Sequence, residues 1–497
     1  MAALGTSATS EPNQWICVAP QPATEDGDAS IPATRYGHTA LLHRNRWMIV
    51  THGYYHSKVG KGGVFLDDTW CFDVQTLAWR RIGPGAAASD GGASTQQRGA
   101  VPLPRFEHTA VADGGKYMYL FAGTDGGRRN NGGRTYLFGP EAEMSDLWRF
   151  SLGDHGVGGN WDEVLPASPA SAPASAPAGA GVPGEEAAAM WPGARCEHGS
   201  AWASGLLWVF GGLEGDASGS ADGITALCDL WSCAVSETPR RRGKGGSPEA
   251  IWSTHAIVAA GGGGDVGGGS GAAEPAVSAR YGHGMVAGRW AAGSGGKRGG
   301  GSDGFFVLGG RQRSRTGGAR ELLGDFWFCD TSADAAMDTG SDGGGGGGGG
   351  GGGPAWHRLE APGLPGWEPR FHFAMAALPA GGFLVLGGNV SPGLLRLPVD
   401  GWVFRGGQGS TEDETGGETG VGTAGGWRRF DARGAMDDGG HEHPYGRVHA
   451  TAVVVASGAA SGSDDVAVEG ASTVLLFGGE STRPYMYHSS VWRVSVD

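Results

Sequence analysis

Four arginine–histidine pairs with the same spacing are the first candidates for chemistry in this sequence. A histidine follows the arginine by three residues in Arg35/His38, Arg105/His108, Arg195/His198 and Arg280/His283. Histidine titrates near neutral pH and can exchange protons with a substrate. However, the pairs recur at equivalent places in a repeated pattern, whereas an active site needs one asymmetric cluster of groups. We therefore interpret the pairs as structural and predict no catalytic residue.

Arginines beside aromatic residues are the second candidates, in this case for binding. They lie in segments between predicted strands, at Tyr54, Tyr55, Arg128, Arg129, Arg134, Arg311, Arg313, Arg315, Arg483 and Tyr485. A guanidinium group holds carboxylates and phosphates through paired hydrogen bonds, and tyrosine and arginine are frequent in protein interfaces. We hypothesise that these residues bind an acidic or phosphorylated segment of a partner protein. Solvated loop charges are the alternative interpretation.

Two weaker signals concern metal binding and nuclear import. His441 and His443 follow Asp437 and Asp438 and could hold a metal ion, but ordinary loop composition explains them equally well. The basic run 240–244 has the composition of an import signal, although a solvated loop is favoured. We predict neither a metal site nor a cofactor.

The elements that must position these residues come from a pattern that occurs six times. Each copy starts at an arginine, at Arg35, Arg105, Arg195, Arg280, Arg370 and Arg447. An apolar run then ends in glycine, at Gly53, Gly123, Gly212, Gly310, Gly388 and Gly479. Next comes a strand with a tryptophan, at Trp70, Trp148, Trp231, Trp327, Trp402 and Trp492. A further lone tryptophan follows in the first five copies only.

The fifth and sixth copies depart from the histidine spacing. Phe373 occupies the histidine place in the fifth copy, and His449 follows its arginine by only two residues in the sixth.

Apolar runs such as 207–210 indicate strands that are buried on both faces. Glycines after them allow positive φ where the chain turns.

This pattern resembles the kelch repeat over nearly the whole chain. The resemblance implies one four-stranded blade per copy, with strands A to D, and therefore an all-β, six-bladed β-propeller. The arginine starts lie 70 to 90 residues apart, whereas a kelch repeat has about 50 residues. The excess must lie in loops, and low-complexity insertions are predicted at 165–184, 259–273, 338–354 and 406–426. Residues 13–497 then form a single propeller after a disordered tail at 1–12.

The chain reaches its end just after the third strand of the sixth blade. Residues 13–18, which carry the spare Trp15, are predicted to supply the missing outer strand and close the ring. Such a closure removes an exposed sheet edge.

Composition limits the location and the partners. Glycine accounts for 99 residues. The net charge is −14, and this negative charge argues against general nucleic-acid binding. No signal peptide or membrane-spanning stretch is visible, so we expect a cytoplasmic and monomeric protein, with a nuclear location as the alternative. The six cysteines show no disulfide or zinc spacing and are interpreted as reduced.

The kelch resemblance also implies a class of function. Kelch propellers often serve as scaffolds or adaptors that bind partner segments on the face formed by the B–C and D–A loops. We expect this function and no enzymatic activity. The alternative is an enzyme with an active site at the propeller centre, similar to oxidases or sugar isomerases of this architecture.

Overall fold

The strands of each repeat form an antiparallel sheet in this computed structural model. The structure describes residues 14–18, 31–56, 63–83, 101–126, 143–153, 159–167, 190–215, 224–236, 248–257, 277–290, 302–313, 320–332, 353–360, 365–379, 381–391, 396–398, 400–405, 426–430, 433–434, 446–456, 472–482 and 485–496. The protein is all-β, with several four-stranded antiparallel sheets of the kind that form propeller blades. Within the described residues, no helix is long and apolar enough to cross a membrane.

The first three sheets follow strand β1 in the chain. Strand β1 is Gln14–Val18. The first sheet contains β2 (Thr39–His43), β3 (Trp47–His56), β4 (Gly63–Asp73) and β5 (Ala78–Ile82). The second contains β6 (Thr109–Ala112), β7 (Tyr117–Thr124), β8 (Glu143–Ser151) and β9 (Trp161–Pro166). The third contains β10 (Gly199–Ala203), β11 (Leu206–Gly215), β12 (Ile224–Ser236) and β13 (Glu249–His255). A short parallel pairing of β9 with β13 joins the second and third sheets at their edges.

The remaining sheets come from the second half of the chain. The fourth contains β14 (Gly284–Trp290), β15 (Ser302–Leu308), β18 (Phe326–Asp330) and β19 (Ala355–Leu359), and β16 (Arg311–Arg313) pairs with β17 (Arg320–Leu322) beside it. The fifth contains β20 (Ala374–Ala377), β21 (Phe383–Leu386), β22 (Gly401–Phe404) and β23 (Trp427–Phe430). The sixth contains β25 (Thr451–Val455), β26 (Ser472–Phe477) and β29 (Val491–Val496). Strand β24 (Arg433–Gly434) is at the edge of this sheet, where it pairs parallel with β1. Strands β27 (Glu480–Thr482) and β28 (Tyr485–Tyr487) pair with each other.

The glycine that ends each apolar run lets the second strand bend. At Gly212 the register of β11 against β12 shifts, and the backbone has a φ of 106°. A Cβ there would lie 2.8 Å from the Cys196 carbonyl oxygen, so only glycine fits without strain. The bend brings the end of the second strand beside the start of the first, where Leu213 bridges to Cys196.

Strand β1 joins the last sheet, although it comes from the other end of the chain. It pairs antiparallel with β29, in the register Ile16–Arg493, Cys17–Trp492 and Val18–Val491. The Trp15 side chain is only 2% exposed. Its indole packs in a hydrophobic cluster that includes Trp492.

The core is divided into clusters that each lie between two consecutive sheets. Six such clusters draw on sheets one and two, two and three, three and four, four and five, five and six, and six and one. The last of these packs Val50 of the first sheet against Phe477 and Val18. Every described sheet therefore buries both of its faces against neighbours.

The boundaries of the insertions differ slightly from the expectation. Strand β9 continues to Pro166, two residues into the first predicted insertion, because Leu165 donates a backbone hydrogen bond to Pro248 of the third repeat. Residues 259–273, most of 338–354 and 406–426, and the tail at 1–12 lie outside the described residues. So do the candidate metal residues His441 and His443 and the basic run 240–244.

Candidate partner-binding site

The repeat arginines form buried clamps. Arg195 donates two hydrogen bonds to the Asp229 carboxylate, both 2.8 Å, and a third of 3.0 Å to the Gly211 carbonyl. The Trp231 indole donates to the same carboxylate at 2.7 Å. The equivalent clamps are Arg35–Asp68–Trp70, Arg105–Asp146–Trp148, Arg280–Asp325–Trp327 and Arg370–Asp400–Trp402.

The clamp keeps its carboxylate charged. Burial alone would raise the pKa of Asp229, but the hydrogen bonds and charge of Arg195 outweigh it and hold that pKa below its usual value. In the sixth repeat Ser490 takes the acceptor role, and its hydroxyl oxygen accepts from both Arg447 and Trp492 at 3.1 Å. The clamp ties the start of each repeat to its third strand, so these arginines and tryptophans have a structural role.

Two of the four repeat histidines, His38 and His198, bond to a neighbouring repeat. Nε2 of His38 lies 2.8 Å from the Thr451 hydroxyl, and Nε2 of His198 lies 2.7 Å from the Thr109 hydroxyl, each threonine belonging to the adjacent sheet. Burial, with a contribution from Arg35, lowers the pKa of His38 to about 3. Neutral imidazoles with so low a pKa are poor proton acceptors at neutral pH, which fits a packing role.

The fifth repeat has phenylalanine at the histidine place, and its ring faces a glycine rather than a hydroxyl. Its Phe373 lies against Gly284 of the fourth sheet, where an added Cβ would come within 2.5 Å of the ring. The next pair towards the N-terminus is His283 against Gly199, at the same 2.5 Å. A hydroxyl in the neighbouring strand therefore suits histidine, whereas a glycine leaves room for either ring.

The predicted binding residues divide into buried, half-buried and undescribed groups. Tyr54 is 2% exposed and packs on Phe65 and Phe106, with ring centroids 4.8 and 5.3 Å away. Its ring therefore supports the surface rather than forming it, while Tyr55 is half-buried. Arg313 and Tyr485 lie in β16 and β28, but their side chains lie outside what the structure describes. Arg128, Arg129, Arg134, Arg315 and Arg483 are also outside the described residues.

Arg311 is the predicted binding residue whose side-chain position is clearest. Its backbone bridges to Tyr281, at the point where the fourth repeat begins. Its guanidinium lies 4.2 Å from the Phe371 ring centroid and 4.8 Å from that of Tyr281. Cation–π contacts of this kind hold a guanidinium in a fixed orientation. The side chain is half-buried and lies on the side of the sheets where the first strands begin, which we call the B–C face.

A second set of residues on the B–C face is not evident from the sequence pattern. The residue two after each repeat arginine belongs to what we call the inner row, which comprises Gly37, Glu107, Glu197, Gly282, His372 and His449. Each N–H from the second to the sixth member donates to the carbonyl of the member before it, at 2.8–3.1 Å. The backbone of the inner row thus repeats, whereas its side chains do not.

Two members of the inner row are linked across a third. Nε2 of His372 lies 2.5 Å from the Glu197 carboxylate. Gly282 lies between them, and a Cβ there would come within 2.6 Å of His372. Burial raises the pKa of Glu197, but His372 and the nearby Arg311 outweigh it, so the net pKa is lowered. The ring of His449 lies against that of His372, with centroids 3.8 Å apart and an angle of 36° between the ring planes.

The neighbouring carboxyl groups have raised pKa values, in contrast to the lowered pKa of Glu197. Burial and the Glu197 charge raise the pKa of Glu107 well above its usual value. Burial also raises the pKa of Glu143, at the start of β8, to about 7, with smaller contributions from Glu214 and Glu197. One oxygen of Glu143 accepts a 2.7 Å bond from the Gly215 N–H. Glu107, Glu143 and Glu197 together are called the acidic niche below.

A cavity of about 460 Å³ lies beneath the inner row. It is lined by residues of all six first strands, β2, β6, β10, β14, β20 and β25. Of the described residues that line it, none is aspartate, glutamate, lysine or arginine. Within the described residues, no group of three histidine, cysteine or acidic side chains could hold a metal ion.

This chain is similar to known proteins, among them a curated protein and a solved structure. A stretch of 93 residues is 32% identical to human host cell factor 2, a kelch-domain protein, and covers 19% of this chain. The stretch spans 10% of host cell factor 2. The solved structure of YjhT is 12% identical, with a TM-score of 0.43, and the alignment covers 93% of this chain and 95% of that one. No family model matches the chain. The matched stretch and the six copies of the repeat confirm the resemblance to kelch-repeat proteins.

Proposed function

We propose that this kelch-repeat protein is a six-bladed β-propeller, closed by β1, that binds a segment of a partner protein on its B–C face. It acts as a non-catalytic scaffold or adaptor. Three observations support the closed ring: the pairing of β1 with β29, the hydrophobic cluster between the last sheet and the first, and the cavity lined by all six first strands.

The binding role is supported by a difference between two sets of residues on the B–C face. Some residues recur with the same contacts in the repeats, and others occur in one repeat alone. The clamps recur with the same contacts, and their arginines are already bonded to the third strand of their own repeat. Arg311 belongs to no clamp, and its guanidinium is oriented by Phe371 and Tyr281. An oriented, half-buried guanidinium is suited to an acidic or phosphorylated side chain, since it offers paired hydrogen bonds at little cost in conformational entropy.

The enzyme alternative depends on the cavity. Its histidines occupy equivalent positions in successive repeats, and the pKa values of His38 and His283 are lowered to about 3, chiefly by burial. Groups that stay neutral throughout the physiological range are unsuited to general acid–base catalysis. Binding is therefore the better-supported function.

Affinity capture with matched variants tests the proposal. The bait is the full chain, as wild type, Arg311→Ala or Arg289→Ala. Arg289 lies near the end of β14 away from the B–C face and forms an exposed ion pair with Asp303. Arg289→Ala is therefore a control for the loss of one positive charge elsewhere on the protein. We expect a stoichiometric protein with the wild type and Arg289→Ala that is lost with Arg311→Ala. Capture that is equal for all three baits, or absent, would contradict the proposal.

A further inference from the structure

We propose that the bound segment also carries an arginine or lysine side chain, which enters the acidic niche between the second and third repeats. This inference rests on the proposed function and specifies the chemistry of the partner. Arg311 would receive an acidic group of the segment, while Glu107, Glu143 and Glu197 would receive a basic one.

The first observation is that the acidic niche contains unsatisfied oxygens. Glu143 is 6% exposed, and its Oε1 has no hydrogen-bond partner among the described residues. Oε2 of Glu107 is likewise buried without a described partner. Buried polar atoms in folded proteins almost always have partners, and a carboxylate oxygen left without one is costly. Two such atoms in one cluster therefore indicate a hydrogen-bond donor that binds there.

The second observation is the uneven distribution of positive charge around the inner row. Arg311, Arg320 and His372 all lower the pKa of Glu197. The groups that act on Glu143, besides burial, are the Gly215 N–H and the carboxylates of Glu214 and Glu197, and none of these is a cation. Among the described residues, the side of the niche formed by β8 therefore has no cation to balance the charge of Glu143 when it is ionised.

The third observation concerns the route by which a long side chain could enter. Glu214, next to Gly215 at the end of β11, is exposed. It can attract a cation at the surface, and the neighbouring Gly215 N–H donates to Glu143. A lysine or arginine has a flexible apolar stem with its charge at the tip, a shape that reaches a partly buried carboxylate. An arginine could bond two carboxylates of the niche at once through its planar fork.

Other chemistries fit the niche less well. The described residues offer no group of three ligands with the geometry for a metal ion. Cys196 lies beside Glu107, but burial and the neighbouring carboxylates raise its pKa well above the usual value, so the thiol is not a nucleophile. A cationic side chain supplies both the missing donors and the missing charge.

Selection from a display library of random peptides tests the inference with the full chain. The baits are the wild type, Glu143→Gln and Glu163→Gln. Glutamine keeps the shape of glutamate and removes its charge, and Glu163 is an exposed residue of β9 in the same sheet. Selection at pH 8, above the pKa of about 7 of Glu143, keeps that carboxylate ionised.

The wild type and Glu163→Gln should enrich peptides with arginine or lysine at one fixed position. Glu143→Gln should bind the same peptides about tenfold to a hundredfold more weakly, as expected for the loss of one charge-assisted hydrogen bond. If Glu143→Gln does not fold, Glu214→Gln, which removes the exposed carboxylate beside the niche, provides a second comparison with the wild type. Peptides that bind without a basic position, or that bind both variants equally, would overturn the inference and leave the proposed function intact. A selection that yields no peptide at all would contradict both.

Discussion

The clamps and the inner row occupy positions only two residues apart in each repeat, yet they differ in almost every respect. At the clamp, five repeats have the same arginine, aspartate and tryptophan with nearly the same hydrogen bonds, and the sixth substitutes a serine. In the inner row, the backbone hydrogen bonds recur while the side chains change among glycine, glutamate and histidine. The repeated contacts therefore belong to the fold, and we propose that the side chains that change from repeat to repeat take part in recognition.

Breaking a clamp should have the largest effect of any single substitution. Asp325→Ala leaves Arg280, which is 0% exposed, buried without its carboxylate. We expect a loss of about 3–5 kcal/mol in the free energy of unfolding, measured by chemical denaturation. Asp303→Ala in the same sheet removes an exposed ion pair with Arg289 and should cost less than about 1 kcal/mol. Equal losses for the two variants would show that the clamps do not hold the repeats.

Removing the closing strand should have a comparable effect, because it exposes the edge of β29. Trp15→Ala deletes a side chain that is 2% exposed and should cost about 3–5 kcal/mol. Deletion of residues 1–18 should destabilise the whole chain in one cooperative transition, as seen by thermal unfolding. Ile31→Ala serves as the control, since Ile31 is 42% exposed. A truncated chain that melts like the wild type would contradict closure by β1.

Exchanging the repeat histidines should give smaller and opposite effects. His38→Phe loses the bond to Thr451 and should cost about 1 kcal/mol at pH 7.5. His283→Phe should melt at or above the wild type, because Phe373 already packs on a glycine in the equivalent place and neither His283 nitrogen has a described partner. Equal losses in the two variants would contradict the pairing of histidine with threonine across repeats.

The stability of the wild type and of His283→Phe should depend differently on pH. The folded-state pKa of His283 is about 3, below its unfolded value of about 6.5. The unfolded chain therefore binds more protons between these values, and stability is lost as the pH falls from 6.5 towards 3. His283→Phe should be less sensitive to acid than the wild type in thermal melts between pH 7.5 and pH 5. The same acid sensitivity in both proteins would show that this histidine is not buried in its neutral form.

Much of the fold could be predicted from the sequence, because its determinants are local. An apolar run that ends in glycine marks the second strand, and the spare Trp15 predicted the strand that pairs with β29. The pairing of His38 with Thr451 could not be predicted in this way, because the two residues are 413 positions apart and the rule involves two different repeats.

The candidate site was less accessible from the sequence for a related reason. Arg311 was identified by its charge and its aromatic neighbours, but the burial of Tyr54 depends on packing against Phe65 and Phe106. The inner row could not be predicted from the sequence pattern. The residue two positions after each repeat arginine varies among the repeats, but this variation becomes meaningful only when the backbone hydrogen bonds place those residues side by side.

We propose that residues shared by the repeats hold the fold, while unshared residues of the B–C face bind the partner. The most direct test is to measure both the melting temperature and the partner dissociation constant of Arg311→Ala beside the wild type. We expect a nearly unchanged melting temperature and a dissociation constant about thirtyfold higher, which corresponds to a loss of about 2 kcal/mol of binding free energy at an interface hot spot. An unchanged dissociation constant, or a loss of stability as large as that of Asp325→Ala, would contradict it.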